Sequence, residues 1–353
     1  MFKQKLHTNQ NKHGRLPNIH GSFCRVLLFS FVLIFCFLLS SCSADCKTLD
    51  FFAMDTYVQA TAYGKNADKF LLAINEETVR LEGIFSAHKR DSELFALNSG
   101  KNAYSEELLS LVSEAISLSE LTEGGFDPTL LPVSNLWNFG GEARIPSEEE
   151  ISNALKRCGY EKITLTQDCI DLGKSELDLG GIAKGYAADR FIALAKENGT
   201  ESAIGSFGGM VAVIGEKPNG APWKIAIRDP NGDGFAAVLK VSDVCISTSG
   251  AYERYFTFEG KVYHHILDPQ TGYPAESDLL SVTVIDKSGT KADALSTALF
   301  VMGKDKALDF CLENGICAVL ISEENKFITV GLNADSVTEI AAKYTLKNIS
   351  FGS

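Results

Sequence analysis

Asp178-Leu179-Gly180-Gly181-Ile182-Ala183-Lys184-Gly185-Tyr186-Ala187-Ala188-Asp189 is the stretch on which the reading of this 353-residue chain turns. Leu177–Leu179 reads as the end of a strand, Gly180-Gly181 as a tight turn, and Ile182 as the start of a helix that runs to about Asn198, where Gly199 stops it. A helix start presents N–H groups without intrahelical partners and a partial positive charge, a setting that suits a phosphate. Glycines at the turn let a bulky anion approach the backbone. Lys184 in the first turn adds a cation, and Asp178 can accept hydrogen bonds from a ring or a sugar. The spacing is neither G-x-x-x-x-G-K-[ST] nor G-x-G-x-x-G. Taken alone, the run fits an ordinary strand–turn–helix packed through glycine at least as well as an anion cradle.

Five other segments accompany it in the sequence. Thr122–Thr129 (TEGGFDPT) is a glycine turn, Gly124-Gly125, presenting Phe126 and Asp127. Ile204–Gly209 is a second glycine-dense turn, and Ile246–Gly250 (ISTSG) reads as a hydroxyl-rich loop. His264–Pro274 (HHILDPQTGYP) is dense in polar groups and turn formers. Further on, Ala292–Leu299 (ADALSTAL) reads as helix and places Asp293 and Thr297 at i and i+4, on one face. A hard cation such as Mg²⁺ takes oxygen ligands of this type. The plainer reading of Asp293 is a helix-capping acid.

Around these motifs the pattern is mixed. Helices are expected at Asn66–Phe85, Ser105–Thr122, Ser147–Cys158 and about Lys291–Met302. Strands are expected at Phe52–Tyr63, Lys162–Thr166 and Glu176–Leu179 and, in quick succession, from Ser202 onward. No regular βαβα alternation is visible, so the expected class is α+β with mainly antiparallel strands. Residues 51–345 are expected to form a single domain behind a tether at residues 42–50.

The N-terminus reads as an address. Lys3, Lys5, Lys12, Arg15 and Arg25 precede an apolar stretch, Val26–Leu39, that is short for a membrane span. Leu39-Ser40-Ser41-Cys42 then has the lipobox pattern, so residues 1–41 are expected to be a lipoprotein signal peptide and Cys42 the lipidated residue. The alternative is an uncleaved anchor. On either reading the remainder is exported, and on the first it is held by lipid on the outer face of the cell membrane or in the periplasm. With residues 1–41 removed, 28 basic residues face 45 acidic ones, a balance that excludes non-specific nucleic-acid binding. The later cysteines form no C-x-x-C pair, so no zinc or thioredoxin-like site is expected.

Together with Met54-Asp55-Thr56, Ser92–Asn98 (SELFALN), WKIAIRDP (Trp223–Pro230) and ISTSGAYERYF (Ile246–Phe256), these motifs resemble the ApbE family, the FAD:protein FMN transferases, in order and spacing. The resemblance runs from Met54 to Gly303. It implies Mg²⁺ held by Asp293, Thr297 and the backbone carbonyl of Gly181. It also implies FAD contacts at Met54, His88, Gly125, Phe126, Asp127, Asp178, Lys184, His265 and Ile266. Two positions depart from the family pattern: Asp55 stands where glycine is usual, and His88 where an aromatic is common.

The activity so implied is Mg²⁺-dependent transfer of FMN from FAD to a Thr or Ser hydroxyl of a partner protein, with AMP leaving. The implied acceptor is a subunit of a membrane redox complex, NqrC- or RnfG-like. Asp293 and His265 are the catalytic candidates, His265 as general base because imidazole titrates near neutrality. Two other functions compete: FAD hydrolysis to FMN and AMP, and a lipid-anchored FAD binder without chemistry.

Overall fold

Alternating burial along the strands explains the architecture of the computed structural model, which describes residues 45–166 and 169–351. In the strand Cys317–Ser322, Ala318 and Leu320 belong to one apolar cluster and Val319 and Ile321 to another. A period of two sends neighbours to opposite faces, so this strand is covered on both sides. In Leu279–Asp286, likewise, Val282 and Val284 face the first cluster and Ile285 the second.

The chain opens with the hairpin β1 (Cys46–Ala53) and β2 (Thr56–Tyr63). It continues through α1 (Ala67–Phe85), α2 (Glu93–Asn98), α3 (Glu106–Leu121), α4 (Leu131–Trp137) and α5 (Glu148–Leu155). The short pair β3 (Thr164–Leu165) and β4 (Ile170–Asp171) precedes α6 (Ala183–Asn198). Next come β5 (Ala203–Phe207), β6 (Met210–Ile214), β7 (Trp223–Arg228), β8 (Phe235–Val241) and β9 (Val244–Gly250). These are followed by β10 (Tyr255–Phe258), β11 (Lys261–His264) and β12 (Leu279–Asp286). Then come α7 (Gly289–Met302), α8 (Lys304–Asn314), β13 (Cys317–Ser322), β14 (Lys326–Val330), β15 (Val337–Ile340) and β16 (Thr345–Ile349).

Among the described residues, nine strands form one sheet in the order β1-β2-β5-β6-β9-β12-β13-β14-β16. Its pairs are antiparallel except β14 with β16. One face packs on helices through Phe70 and Ile74 of α1, Ala188 and Phe191 of α6, and Leu295 and Leu299 of α7. The other face packs on a three-stranded sheet, β15-β8-β7, through Ile227, Ala237 and Leu239. The result is the α+β class with mainly antiparallel strands. A satellite cluster around the fully buried Trp137 joins α4, α5 and the β10–β11 hairpin, and the Trp137 indole N–H donates to the Gly272 carbonyl at 2.8 Å.

Several expectations are corrected. Ile246–Gly250 is not a loop but most of β9, a central strand whose two serine hydroxyls meet α7 while Thr248 bonds Thr283 of β12. Glu176–Leu179 forms no strand, because its partner is a side chain: Asn98 Nδ2 donates to the Leu177 carbonyl and Leu177 N–H to Asn98 Oδ1, both at 2.8 Å. Cys46–Asp50, expected within the tether, is paired in β1. Ordered structure also runs past residue 345, since β16 ends at Ile349. The helix expected at Ser147–Cys158 ends at Leu155; Ser147 opens it with a full capping box to Glu150. The signal peptide expected at residues 1–41 and the expected lipidation at Cys42 lie outside the described residues.

Candidate active site

Two helices and one strand make the site. In β9 the period of two turns Ser247 and Ser249 toward α7, where Asp293, Ser296 and Thr297 lie at i, i+3 and i+4 on one face. Ser247 Oγ donates to Asp293 Oδ1 at 3.0 Å, Ser249 and Ser296 hydroxyls are 2.8 Å apart, and Ser249 and Thr297 hydroxyls 3.3 Å apart. Asp293 is only 5% exposed. A buried carboxylate needs charge-assisted partners, and the start of α6 supplies them. Gly185 N–H, an orphan donor of that helix's first turn, binds Asp293 Oδ2 at 3.0 Å, and Lys184 Nζ lies 3.6 Å from the same oxygen.

The glycine turn is drawn to this cluster. Asp178 Oδ1 accepts the Gly180 N–H at 2.8 Å, and Lys184 Nζ donates to the Gly180 carbonyl at 2.7 Å. A Cβ placed on Gly181 would stand 3.1 Å from the Phe126 ring and 3.9 Å from Thr297 Oγ1. One on Gly125 would stand 3.3 Å from Met302 Cε and 3.5 Å from Ala298 Cβ. Gly125, Phe126, Gly181 and Thr297 therefore share one wall. Asp127 serves the same loop internally. Its Oδ1 accepts Thr129 N–H (2.8 Å) and Oγ1 (2.6 Å), its Oδ2 accepts Tyr160 N–H (3.2 Å), and burial raises its pKa against those bonds.

The side-chain donor set is all oxygen: one carboxylate with serine and threonine hydroxyls. Among the described residues no group of three or more His, Cys, Asp or Glu side chains converges as a metal cluster. This donor chemistry fits a hard cation such as Mg²⁺ and does not suit a softer metal.

The facing wall carries the second glycine turn and the segment after β9. Gly208, at φ +70, opens the two-residue turn between β5 and β6, and a Cβ there would strike Thr56 Oγ1 at 2.7 Å. Arg254 ties three pieces together. Its Nη2 donates to the Asp55 carbonyl (3.0 Å) and pairs with the Asp55 carboxylate (2.9 Å), while its own carbonyl accepts His265 N–H (3.0 Å). Met54 and Asp55 are the positive-φ pair of the β1–β2 turn, at 53° and 55°, and Met54 N–H donates to Glu82 Oε1 at 2.8 Å. Asp55 thus holds a left-handed position, where glycine would be free of strain, and gains an ion pair. Ile266 is buried beside His265, with its carbonyl bonded to Ala275 N–H. His88 sits exposed on the Ser86–Ser92 turn; among the described residues no hydrogen bond or ion pair joins it to the cluster.

His265 departs from the near-neutral titration expected of it. Burial, then the charges of Arg254, His264 and Lys184, lower its pKa from 6.5 to about 4, and its Nδ1 is buried without a partner. Burial also lowers the pKa of His264, whose Nε2 donates to the Ala275 carbonyl at 3.1 Å. The sign follows from linkage. Between about pH 4 and 6.5 the unfolded chain holds a proton on His265 that the folded chain does not. The stability contributed by the neutral ring is therefore complete above pH 6.5 and lost as pH falls toward 4. On the order of 3 kcal/mol is expected to disappear across that window. Urea unfolding at pH 7 and pH 4.5, with His265→Gln as reference, measures it; parallel pH dependence in the two proteins would contradict the assignment.

The structure thus joins Gly125, Phe126, Gly181, Lys184, Asp293 and Thr297 directly. Asp178 adjoins through Gly180, and His265 through the charges of Lys184 and Arg254. Sequence reading did not single out Ser247, Ser249, Ser296 or Arg254. Alternation in ISTSG was the available signal for the two β9 serines, but hydroxyl-rich composition pointed to a loop instead.

A helix start, a lysine and an oxygen-only cluster face one another on an α+β scaffold, a donor chemistry suited to an anionic group and a hard cation. The sequence model of the ApbE family matches residues 54–321. The FAD:protein FMN transferase of Vibrio cholerae serotype O1 is 36% identical over 265 residues, 72% of this chain and 77% of its own. That of Treponema pallidum is 33% identical over 321 residues, 83% of this chain and 89% of its own. Among solved structures, the ApbE protein from Thermotoga maritima superposes with TM-score 0.74 at 38% identity, covering 79% of this chain and 95% of that one. The apo flavinyl transferase ApbE of Pseudomonas stutzeri does so with TM-score 0.72 at 33% identity, covering 80% and 92%. This chain belongs to the ApbE family and is an enzyme of the flavin-transferase class.

Proposed function

We propose that this cleft transfers FMN from FAD to a Thr or Ser hydroxyl of a partner protein. The acceptor oxygen forms a bond to the FMN-side phosphorus, the bond from that phosphorus to the bridging oxygen breaks, AMP leaves with that oxygen, and the hydroxyl proton passes to a base. The carrying observation is the placement of the Asp293/Thr297 face of α7 against the Gly180–Gly185 start of α6. Asp293, Thr297 and the Gly181 carbonyl are the residues that would hold Mg²⁺, which supplies charge neutralisation at the pyrophosphate. Lys184 and the positive end of the α6 dipole favour the same negative charge. The Gly125–Phe126 wall takes the flavin ring and excludes water from it.

His265 is neutral at pH 7 and so is free to accept the hydroxyl proton. Burial is the largest cause of its lowered pKa; a bound polyanion would offset the smaller contributions of Arg254 and Lys184 and so favour the protonated ring. His265→Ala is expected to slow transfer by about 10²–10⁴-fold with FAD affinity retained. Turnover within threefold of wild type would remove it from the mechanism.

The partner fits the outer-face lipoprotein reading of Cys42: an exported, membrane-anchored enzyme acting on a subunit of a membrane redox complex, NqrC- or RnfG-like. The test incubates the full chain, in detergent, with FAD, Mg²⁺ and such a subunit. Fluorescent FMN that stays on the acceptor after denaturation, with one AMP released per flavin, is the expected result. FMN and AMP both free in solution would make the enzyme an FAD pyrophosphatase, and unconsumed FAD would make the chain a binder.

A further inference from the structure

Asp189 closes the decisive run and has no part in the chemistry above. It lies one turn beyond Gly185 on α6, as Asp293 lies one turn beyond Gly289 on α7. Its carboxylate gathers the beginning of α7. Oδ1 accepts Gly289 N–H at 2.6 Å, and Oδ2 accepts Thr290 N–H at 2.9 Å, Thr290 Oγ1 at 2.6 Å and Ser288 Oγ at 3.3 Å. Ser288 Oγ in turn accepts Lys291 N–H at 3.2 Å, so the first three donors of α7 are all satisfied.

The two helices hold each other reciprocally. Asp189 of α6 takes the N–H of Gly289, and Asp293 of α7 takes the N–H of Gly185. Between these bonds the backbones touch: a Cβ on Gly185 would lie 2.2 Å from the Gly289 carbonyl oxygen, and one on Gly289 would lie 2.4 Å from that of Gly185. A contact of two bare glycines has no side chain to resist sliding or rotation. The pair of carboxylates supplies the direction that the glycines lack. Rotation matters because an oxygen about 5 Å from a helix axis moves roughly 1 Å for a turn of about 10°. A working ligand set tolerates only about 0.5 Å.

We propose that Asp189 is a positioning residue for the cation site: it fixes the rotation and axial setting of α7 so that Asp293 and Thr297 face the Gly181 carbonyl. The proposal rests on the Mg²⁺ reading given above. Asp189→Asn keeps the shape, removes the charge, and turns an amide N–H₂ toward groups that are themselves donors.

The test titrates Mg²⁺ into the full chain in detergent with FAD. Cation-dependent change in flavin fluorescence is followed alongside transfer, and FAD affinity is measured in chelator. In Asp189→Asn the Mg²⁺ concentration for half-effect is expected to rise roughly tenfold or more. The turnover number recovers at saturating Mg²⁺, and metal-free FAD affinity stays within about twofold, as expected for a change confined to the cation ligands. A lowered unfolding midpoint with an unchanged Mg²⁺ requirement would make Asp189 a cap of α7 and nothing more, overturning the proposal. Wild-type protein indifferent to Mg²⁺ would overturn the cation reading first, and this inference with it. If Asp189→Asn fails to fold, Thr290→Val removes a single donor from the same oxygen. A rise in the Mg²⁺ requirement there supports the proposal, and none overturns it.

Discussion

Asp293→Asn is expected to lose at least about 10³-fold in flavin transfer at fixed Mg²⁺ while folding nearly as well as wild type. The two halves of this result come from different bonds. Asparagine retains an oxygen and the same shape. One of the hydrogen bonds from Gly185 N–H and Ser247 Oγ survives directly, and rotation of the serine hydroxyl lets it accept from the amide instead. What is lost is the negative charge, the only carboxylate charge in the oxygen cluster formed with Ser247, Ser249, Ser296 and Thr297. A neutral amide binds Mg²⁺ far less well, and several kcal/mol of charge stabilisation corresponds to three or more powers of ten in rate. Asp293→Ala removes the oxygens as well. It leaves Gly185 N–H buried without a partner, while Ser247 Oγ keeps Ser296 and Lys184 Nζ keeps the Gly180 carbonyl, so it is expected to cost a further 1–3 kcal/mol or so in stability. Comparing the two variants in a Mg²⁺-dependent transfer assay and by chemical denaturation separates ligation from packing. Transfer by Asp293→Asn within tenfold of wild type would remove Asp293 from the cation site.

How much of this was legible beforehand depends on the kind of interaction. The helices around Phe70, Leu108 and Phe191 announce themselves by apolar spacing, and the antiparallel pairs of β5 with β6 and β13 with β14 by short apolar runs between turns. Local chemistry was enough there. The Asp293/Thr297 face was also readable, because i and i+4 on a helix is a local relation. Long-range partners were not readable. Asn98 stands 79 residues before Leu177, yet it occupies both backbone groups that a neighbouring strand would have taken. Glu176–Leu179 therefore forms no strand: its ladder is a single side chain. ISTSG was misread for the opposite cause. Strand propensity undervalues serine, and burial against α7 overrides propensity. The lowered pKa of His265 was likewise invisible, since it arises from burial and from cations brought together only by the fold. The resemblance supplied what spacing could not, the joining of Gly181 to Thr297.

Gly185→Ala is expected to destabilise the protein by on the order of 5 kcal/mol, against the ordinary effect of that substitution in a helix. Within a helix, alanine normally gains about 0.5–1 kcal/mol over glycine by restricting the unfolded chain. Gly83 in α1 is such a case: a Cβ there meets nothing within 4 Å, and Gly83→Ala should be neutral to stabilising by that amount. At Gly185 the same methyl would meet Gly289 O at 2.2 Å, Gly289 C at 2.5 Å and Asp293 Cβ at 2.8 Å. Two of the three atoms are backbone, so no rotamer change relieves the contact and the helices must part. Parting them costs about 1–3 kcal/mol as overpacking. It also stretches the two charged bonds that flank the crossing, Gly185 N–H to Asp293 and Gly289 N–H to Asp189, each worth about 1.5–3 kcal/mol. The loss is comparable to the whole stability of many domains, so Gly185→Ala should be largely unfolded or accumulate poorly. Its folded fraction should also need more Mg²⁺, because the displaced helix carries Asp293 and Thr297. Denaturant midpoints of Gly185→Ala and Gly83→Ala, measured side by side, decide it. The glycine of this run is required for the close approach of two backbones, and equal midpoints for the two variants would show that α6 and α7 do not cross as tightly as 2.2 Å demands.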